Sequence, residues 1–563
     1  MTKISRRVLL LMFIAAGIVS GLAAVLFHEW IVLSRSLLLE RALRIDGPLR
    51  PLLLISIPAT TAALLGYIVQ RFAPSTLGAG LARVRRSYEQ DVKYLDPRTV
   101  IFTFLLTPLS LGSGAPLGPE GPTVVVTSGL SVWVARVLGF PRKVLRGMVP
   151  VGTAAGIAAI FRTPITGVVF ALEELFGTSS RSILGGTLIA AVAAAVVQQA
   201  LGGSVRILPA GVATWNNTWE LLGFAIVGVT AGIVSGTVLR VAAVMRDRLR
   251  TKIPSVPLRF GLGGAAVGLL GVFSPSMLGV GYETTSLLLR GGGSLMFDAE
   301  AFGAKTLGFM IAASAGLLGG TFAPSLFIGA ALGGMIGHAG NLIAVNPIDT
   351  GAYALVGMGA YFAGTLRAPI AAVLIVIELT NDYGLVIPLM LGVAISNAIS
   401  HAITPRSLEE DQLEKEGYRP PRDVRDPLGQ LVVRQVMSTE VMAFEPDTPL
   451  VDVLERTREK RHAVYPVMDS EKRLMGLLSG DAVGRAVRLQ QFETTVEDLM
   501  DPPLIAARES ESLNDLLGRM SSTGVDRCPV VDSQGVVVGF LSPSDVVRAR
   551  FQHQSVISDE MLD

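Results

Sequence analysis

Cysteine occurs once in this chain, at Cys528. No disulfide can therefore staple it internally, and a lone thiol fits a reducing compartment for the segment that carries it. Charge is scarce too. Asp, Glu, Lys and Arg make up 17% of the 563 residues, against about 25% in an ordinary soluble protein. Between Thr306 and Ile348 there is none, and mean hydropathy over the chain is +0.53. Chain of that kind is membrane-embedded, which excludes a soluble enzyme. The net charge of +2 comes without a basic cluster, so no phosphate-reading surface is expected and nucleic acid is not an expected partner. No carboxylate cluster is legible in the apolar part, which argues against a divalent-cation transporter and leaves no expected metal site.

What is present is a series of apolar stretches ending near Thr404: Val8–Phe27, Pro51–Val69, Val100–Leu111, Gly185–Leu201, Leu221–Val241, Phe260–Val272, Gly308–Ile336 and Leu385–Ile403. Several are short or broken by glycine. Such interrupted helices survive at membrane depth only where protein or a watery cavity covers the freed backbone groups. Lys3, Arg6 and Arg7 precede the first stretch. That stretch is long and lacks a small-residue cleavage site, so it is expected to be a retained first helix with a cytoplasmic N-terminus.

The apolar part repeats itself. Gly78-Ala79-Gly80 returns as Gly279-Val280-Gly281, 201 residues on. Gly118-Pro119-Glu120-Gly121-Pro122 returns as Gly320-Thr321-Phe322-Ala323-Pro324, at 202. The run Gly152 to Ile165 (GTAAGIAAIFRTPI) returns as Gly357 to Ile370 (GMGAYFAGTLRAPI), at 205. Three landmarks in one order at a nearly constant offset mark a duplicated all-α, multi-span membrane domain with broken helices. It covers residues 1–404, with repeats at about 50–203 and 256–403. Span parity decides whether the halves are inverted; inverted halves are the expectation, with a binding site at their interface near the midplane.

A second repeat follows. Val436-Met437, Pro466-Val467-Met468-Asp469 and Gly476-Leu477-Leu478-Ser479 recur 63 residues later as Leu499-Met500, Pro529-Val530-Val531-Asp532 and Gly539-Phe540-Leu541-Ser542. Each copy reads as a short strand, a polar helix, two apolar strands and a helix, an α/β pattern. The copies span 431–490 and 494–550. Charged, proline-containing residues 405–430 read as a linker, and 551–563 as a tail.

Gly-rich phrases that open apolar helices present backbone N–H groups, and the positive end of the helix dipole, to whatever lies beyond. Several such ends converging would bind an anion without a cationic side chain. The same glycines could serve only close helix packing, but their repetition at matched positions favours the site. Against this background Glu120 stands out. An ionisable side chain costs about 2.5–3.5 kcal/mol at the centre of a membrane helix, and the other half carries Phe322 there instead. Glu120 is read as a proton-sensitive gate in an anion pathway. Glu173 has a partner at the constant offset, Glu378, and reads as structural, bonding a helix end. Glu174 has none, since Leu379 takes its place, and reads as specialised.

These phrases resemble the CLC chloride channel and proton-exchanger family over essentially the whole chain, and the tail resembles its paired cytoplasmic CBS domains. The resemblance implies a homodimeric, multi-pass protein of a prokaryotic plasma (inner) membrane, with both termini cytoplasmic and no required cofactor. It implies transport of chloride or a similar small anion, coupled to protons, with a passive channel as the alternative. By resemblance Glu120 is the external gate and proton acceptor, and Glu174 the internal proton-transfer residue. Gly78, Ala79, Gly80, Gly118, Gly121, Gly320, Thr321, Phe322 and Ala323 would surround the anion.

The chain also departs from the family pattern. Ala79 stands where a serine hydroxyl is usual, Pro119 where a basic residue is common, and Glu409 near where a tyrosine is expected; the nearest, Tyr418, lies further on. The inner constriction and tight coupling are accordingly expected to be weakened. In the tail, Ser542-Pro543-Ser544-Asp545 has the Ser-x-x-Asp spacing with which CBS pairs hold an adenine nucleotide, so Ser542 and Asp545 are its candidate ligands. A purely structural pair is the alternative.

Overall fold

The computed structural model describes residues 6–78, 80–176, 181–202, 208, 215, 217–344, 346–380, 383–415, 431–458 and 462–549. They fall in two compact units, residues 1–420 and 421–563. Ala79, Tyr418, most of the 405–430 stretch and the tail 551–563 lie outside the described residues.

The first unit is helical. Helix α1 (Arg6–Arg35) passes through a π-helical turn (Ser36–Glu40) into α2 (Arg41–Arg44). One half then follows: α3 (Leu49–Phe72), α4 (Gly80–Glu89), α5 (Pro97–Gly112), α6 (Glu120–Val137), α7 (Arg142–Phe161), α8 (Pro164–Ala171) and α9 (Arg181–Leu201). Helix α10 (Glu220–Lys252) leads to the other: α11 (Val256–Phe273), α12 (Tyr282–Leu289), α13 (Leu295–Ala315), α14 (Phe322–Asn341), α15 (Thr350–Leu366), α16 (Pro369–Thr380) and α17 (Val386–Ile403). The order matches element for element, down to a 3-10 turn after the first helix of each half (Pro74–Thr76, Pro275–Met277). Among the described residues eight helical segments are long and apolar enough to cross a membrane.

In each half a helix enters and stops, and a new one starts beyond a Gly-rich link: α5 to α6, and α13 to α14. Irregular backbone at membrane depth must find partners inside the protein. Here the two links serve each other. The Gly118 amide donates to the Gly320 carbonyl at 2.9 Å, and the Gly320 amide to the Gly118 carbonyl at 2.7 Å. Only glycine permits this approach. A Cβ on Gly118 would stand 2.1 Å from Glu120 Oε2 and 3.0 Å from the Ala323 nitrogen.

The paired acids tie the halves a second time. Glu378 Oε1 accepts from the Ile165 amide (3.0 Å), and its Oε2 from the Thr166 amide (2.6 Å) and hydroxyl (2.5 Å). Reciprocally, Glu173 accepts from the amides of Ile370 (3.0 Å) and Ala371 (2.7 Å). Each acid thus caps the proline-started helix of the other half, supplying acceptors for orphan N–H groups and a charge that suits the dipole. The pairing in sequence pointed to this structural role.

Residues 408–415 correct the linker reading. They form α18 (Leu408–Lys415) within the membrane unit, with Leu408, Glu409, Gln412 and Leu413 buried. Its charges misled because they are neutralised by contacts rather than by water. Glu410 pairs with Arg85 of α4 at 3.2 Å, Lys415 with Asp247 of α10 at 2.6 Å, and Asp411 with Arg246.

The second unit holds two similar α/β modules. In the first, the backbone at Phe444 pairs in parallel with β1 (Val464–Met468), which pairs antiparallel with β2 (Leu474–Ser479). Helices α19 (Leu450–Arg456) and α20 (Gly480–Arg488) complete it. After the short α21 (Val496–Leu499), the second module repeats the order: β3 (Ala507–Arg508), α22 (Leu513–Thr523), β4 (Cys528–Val531), β5 (Val537–Leu541) and a helix at 543–549. The segment leading into each module pairs with the other module, Ser438 with Phe540 and Asp501 with Leu477. Neither sheet is complete alone.

The reciprocal caps can be tested by truncation. Glu378→Ala strips the acceptors from two backbone amides and a hydroxyl; a lost bond to a charged group costs about 1.5–3 kcal/mol, so the melting temperature in detergent should fall, and Glu173→Ala should do likewise. An unchanged melting temperature for both contradicts the capping role. In the second unit, burial pushes the Cys528 thiol up to about 12. Because the thiolate is the nucleophile, Cys528 should be inert to a disulfide reagent near pH 8 until the protein is denatured, whereas rapid labelling of native protein would contradict its burial.

Candidate anion site

Three helix starts bring their glycines to one place. A cavity of about 30 Å³ is lined by Gly80 at the start of α4, Gly121 in the first turn of α6, and Gly320, Thr321 and Phe322 at the start of α14. Ile157, Phe170 and Leu366 make its walls apolar, and Glu409 of α18 closes one side. The Phe322 ring is wedged among Phe161, Phe170 and Phe362, with centroids 5.2, 5.6 and 4.4 Å away. That packing fixes the first turn of α14. The space suits one small dehydrated ion, since a single water needs about 10–15 Å³.

Glu120, the first residue of α6, is fully buried. Its Oε2 accepts from the Ala323 amide at 3.3 Å, and its Oε1 from the Tyr282 hydroxyl at 2.8 Å. The carboxylate therefore already sits where the α14 N-terminus would hold an anion. Lys305, also buried, donates to the carbonyls of Met277 (3.1 Å), Gly279 (2.6 Å) and Val280 (3.1 Å), which secures the loop leading to Tyr282.

Larger cavities flank the small one. On the Glu120 side, about 270 Å³ is bounded by Pro119, Tyr282, His28 and Arg162. On the α18 side, about 470 Å³ is bounded by Gly78, Gln412 and four arginines, Arg83, Arg86, Arg250 and Arg259. Clefts lined by one sign of charge gather the opposite ion. Pro119 borders one large cavity and Gly78 the other, while Gly121 and Gly80 line the small one.

The expected residues thus divide. Gly80, Gly121, Gly320, Thr321 and Phe322 line the small cavity; Gly118 and Ala323 adjoin the Glu120 carboxylate; Gly78 turns, with φ +98°, into the arginine-lined cavity, where Gln412 covers it. Glu174 is not on the small cavity. It lies 4.0 Å from Arg85, whose guanidinium also meets Glu89 (3.1 Å) and Glu410 (3.2 Å). This cluster corrects the reading that the membrane part holds no grouped carboxylates: its members come from distant stretches of chain. Among the described residues no His/Cys/Asp/Glu group fits a metal ion.

Two site residues escaped the sequence reading. Tyr282 directly follows Gly279-Val280-Gly281 where the first half has Leu81 after Gly80, a difference that was visible. Glu409 was noticed only for not being tyrosine. Its carboxylate accepts from the Thr321 hydroxyl at 2.9 Å, so on the α18 side a carboxyl borders the cavity where a tyrosine was expected.

In the second unit Ser542 and Asp545 bond each other. Asp545 Oδ2 accepts from the Ser542 amide (3.0 Å) and hydroxyl (2.5 Å), and Oδ1 from the Ser438 hydroxyl (2.8 Å). That arrangement begins the helix at 543–549, as a capping box does.

Residues 61–401 match the model for the voltage gated chloride channel family, and residues 433–487 and 496–552 each match the CBS domain. A ClcB-like protein of Ralstonia nicotianae, described as a putative chloride channel protein, is 35% identical over 52% of this chain and 70% of its own. The H(+)/Cl(−) exchange transporter ClcA of Vibrio vulnificus is 31% identical over 68% of this chain and 84% of its own. A eukaryotic CLC transporter of known crystal structure shares the fold, with a TM-score of 0.65 and 20% identity over 95% of this chain and 97% of its own.

The hydroxyl of Tyr282 is the contact most open to test. Tyr282→Phe removes one bond to a charged group, about 1.5 kcal/mol or more, and should raise anion efflux from proteoliposomes about tenfold. Unchanged efflux means that this bond does not hold the gate.

Proposed function

The chain belongs to the voltage-gated chloride channel family of anion transporters, and we propose that it exchanges chloride or a similar small monovalent anion for protons, with Glu120 as gate. The observation that carries this reading is the Glu120 carboxylate on the Ala323 amide at the start of α14. Two like unit charges about 4 Å apart repel by about 4 kcal/mol at an effective dielectric near 20. An anion and an ionised Glu120 therefore exclude each other from that helix end. Protonation leaves the dipole nothing to hold, so the side chain can leave as the anion arrives. One helix end thus links the two movements.

Glu174 supplies the other end of the proton route. It is a largely buried carboxyl, 12% exposed at its side chain, beside Arg85 and away from the small cavity, so a proton can reach it without passing through the anion path. The arginine-lined cavity gathers anions on the same side. By the positive-inside rule that side is cytoplasmic, as are both termini, in an inner membrane. Kinship to ClcA supports exchange. The family also supports a homodimer, and the CBS pair an adenine nucleotide at Ser542 and Asp545, which would have to compete with the internal bonds of Asp545.

A passive channel is the second reading, favoured by the ClcB-like relative and by Glu409 in the place expected of a tyrosine. Reconstitution separates the two. A chloride gradient across clamped proteoliposomes should drive protons the opposite way; chloride flux without proton movement establishes the channel. Glu120→Gln should abolish proton movement and spare chloride flux, and Glu174→Gln should uncouple protons alone. Full coupling in both variants removes these carboxyls from the mechanism.

A further inference from the structure

The first turn of α14 carries two carboxylates from unrelated parts of the chain. Glu120 rests on the Ala323 amide, and Glu409 of α18 rests on the Thr321 hydroxyl at 2.9 Å. Glu409 is 6% exposed and lines the small cavity directly. Its neighbours Glu89, Glu174 and Glu410 share Arg85, yet among the described residues no ion pair reaches Glu409. Burying a charge is costly unless it is paired and hydrogen-bonded, and this carboxyl lines the small cavity with hydroxyl partners and no cation among the described residues.

We infer that Glu409 is a second gate, a titratable carboxyl that closes the α18 side of the anion cavity when ionised and opens it when protonated. The inference rests on the anion-transport reading above and adds a residue to it. The groups that face Glu409 decide its sign. The hydroxyls of Thr321 and Ser407 hold the ionised form in place. Glu410 adjoins it on α18 and Glu174 interacts with it across the site; both oppose a further negative charge. Arg85 on α4 and Arg246 on α10 are the nearby cations, and both are already engaged, with Glu410 and with Asp411. Arg367, at the end of α15, feels Glu410; its Nη2 donates to the carbonyls of Ser400 and Thr404, its buried Nε and Nη1 have no hydrogen-bond partner among the described residues, and no ion pair there joins it to Glu409. An entering anion therefore meets a negative charge that only a proton or a swing of the side chain removes. Anion passage across this side should rise as pH falls.

A merely structural Glu409, bonding Thr321 to stiffen α14, makes a different forecast, because the substitution Glu409→Gln keeps the acceptor and the shape while losing the charge. The test uses full-length protein in proteoliposomes, with Glu120→Gln as background so that the first gate no longer titrates. Chloride efflux is followed at symmetric pH from about 5 to about 8. With Glu409 intact, efflux should climb on acidification, by about tenfold. Adding Glu409→Gln should flatten the profile at its fast, acidic level. A double variant with the same pH profile as Glu120→Gln alone overturns the second gate and leaves the transport reading standing. Wild-type vesicles without chloride efflux at any pH overturn both. If Glu409→Gln does not fold, calorimetry of chloride binding to purified Glu120→Gln protein decides instead: affinity should tighten about tenfold from about pH 8 to about pH 5, and pH-independent affinity overturns the proposal.

Discussion

The membrane unit hangs on two hydrogen bonds between Gly118 and Gly320. Two chains of helix break inside the apolar layer, and each break exposes amides and carbonyls that lipid cannot serve. Because the breaks occur at matched positions of a duplicated sequence, they can be laid against each other and satisfied. The result is a pair of helix starts, α6 and α14, facing a common point. In the proposed reading, N–H groups at these helix starts hold the anion. Substituting either glycine would push the links apart, so the requirement for a small residue, the closure of the backbone and the electrostatics of the site share one cause.

Asymmetry between the halves is what the proposed gate rests on. The duplication alone would give two equivalent helix starts. Glu120 breaks the equivalence by placing an anion of the protein's own at the start of α14, and Tyr282 breaks it again by steadying that carboxylate where the first half has Leu81. Phe322, at the position equivalent to Glu120, is locked among three aromatic rings. The paired acids Glu173 and Glu378 remained equivalent and remained structural.

Much of this was legible in the sequence. The repeated phrases marked the breaks, because glycine at a close approach and proline at a first turn leave few alternatives, although the apolar stretch Gly308–Ile336 runs across the break between α13 and α14. The offset of Glu378 from Glu173 separated structural from specialised acids for the same reason. What sequence could not show was anything assembled across distance. Glu409 and its neighbours looked like the solvated charges of a linker, and only the partners contributed by α4 and α10, hundreds of residues away, explain how so polar a helix is buried. The carboxylates around Arg85 were invisible as a group for that reason too. In the tail, Ser-x-x-Asp spacing is shared by a ligand motif and a capping box, and the bonds of Asp545 display the second use.

The central claim is that the Glu120 carboxylate and a transported anion compete for one helix end, so that binding an anion there means taking up a proton. Calorimetric titration of chloride into the purified protein, in buffers of differing ionisation enthalpy near neutral pH, counts protons directly. The account predicts proton uptake on chloride binding that is lost in Glu120→Gln. Chloride binding with no proton uptake in the wild-type protein would contradict it.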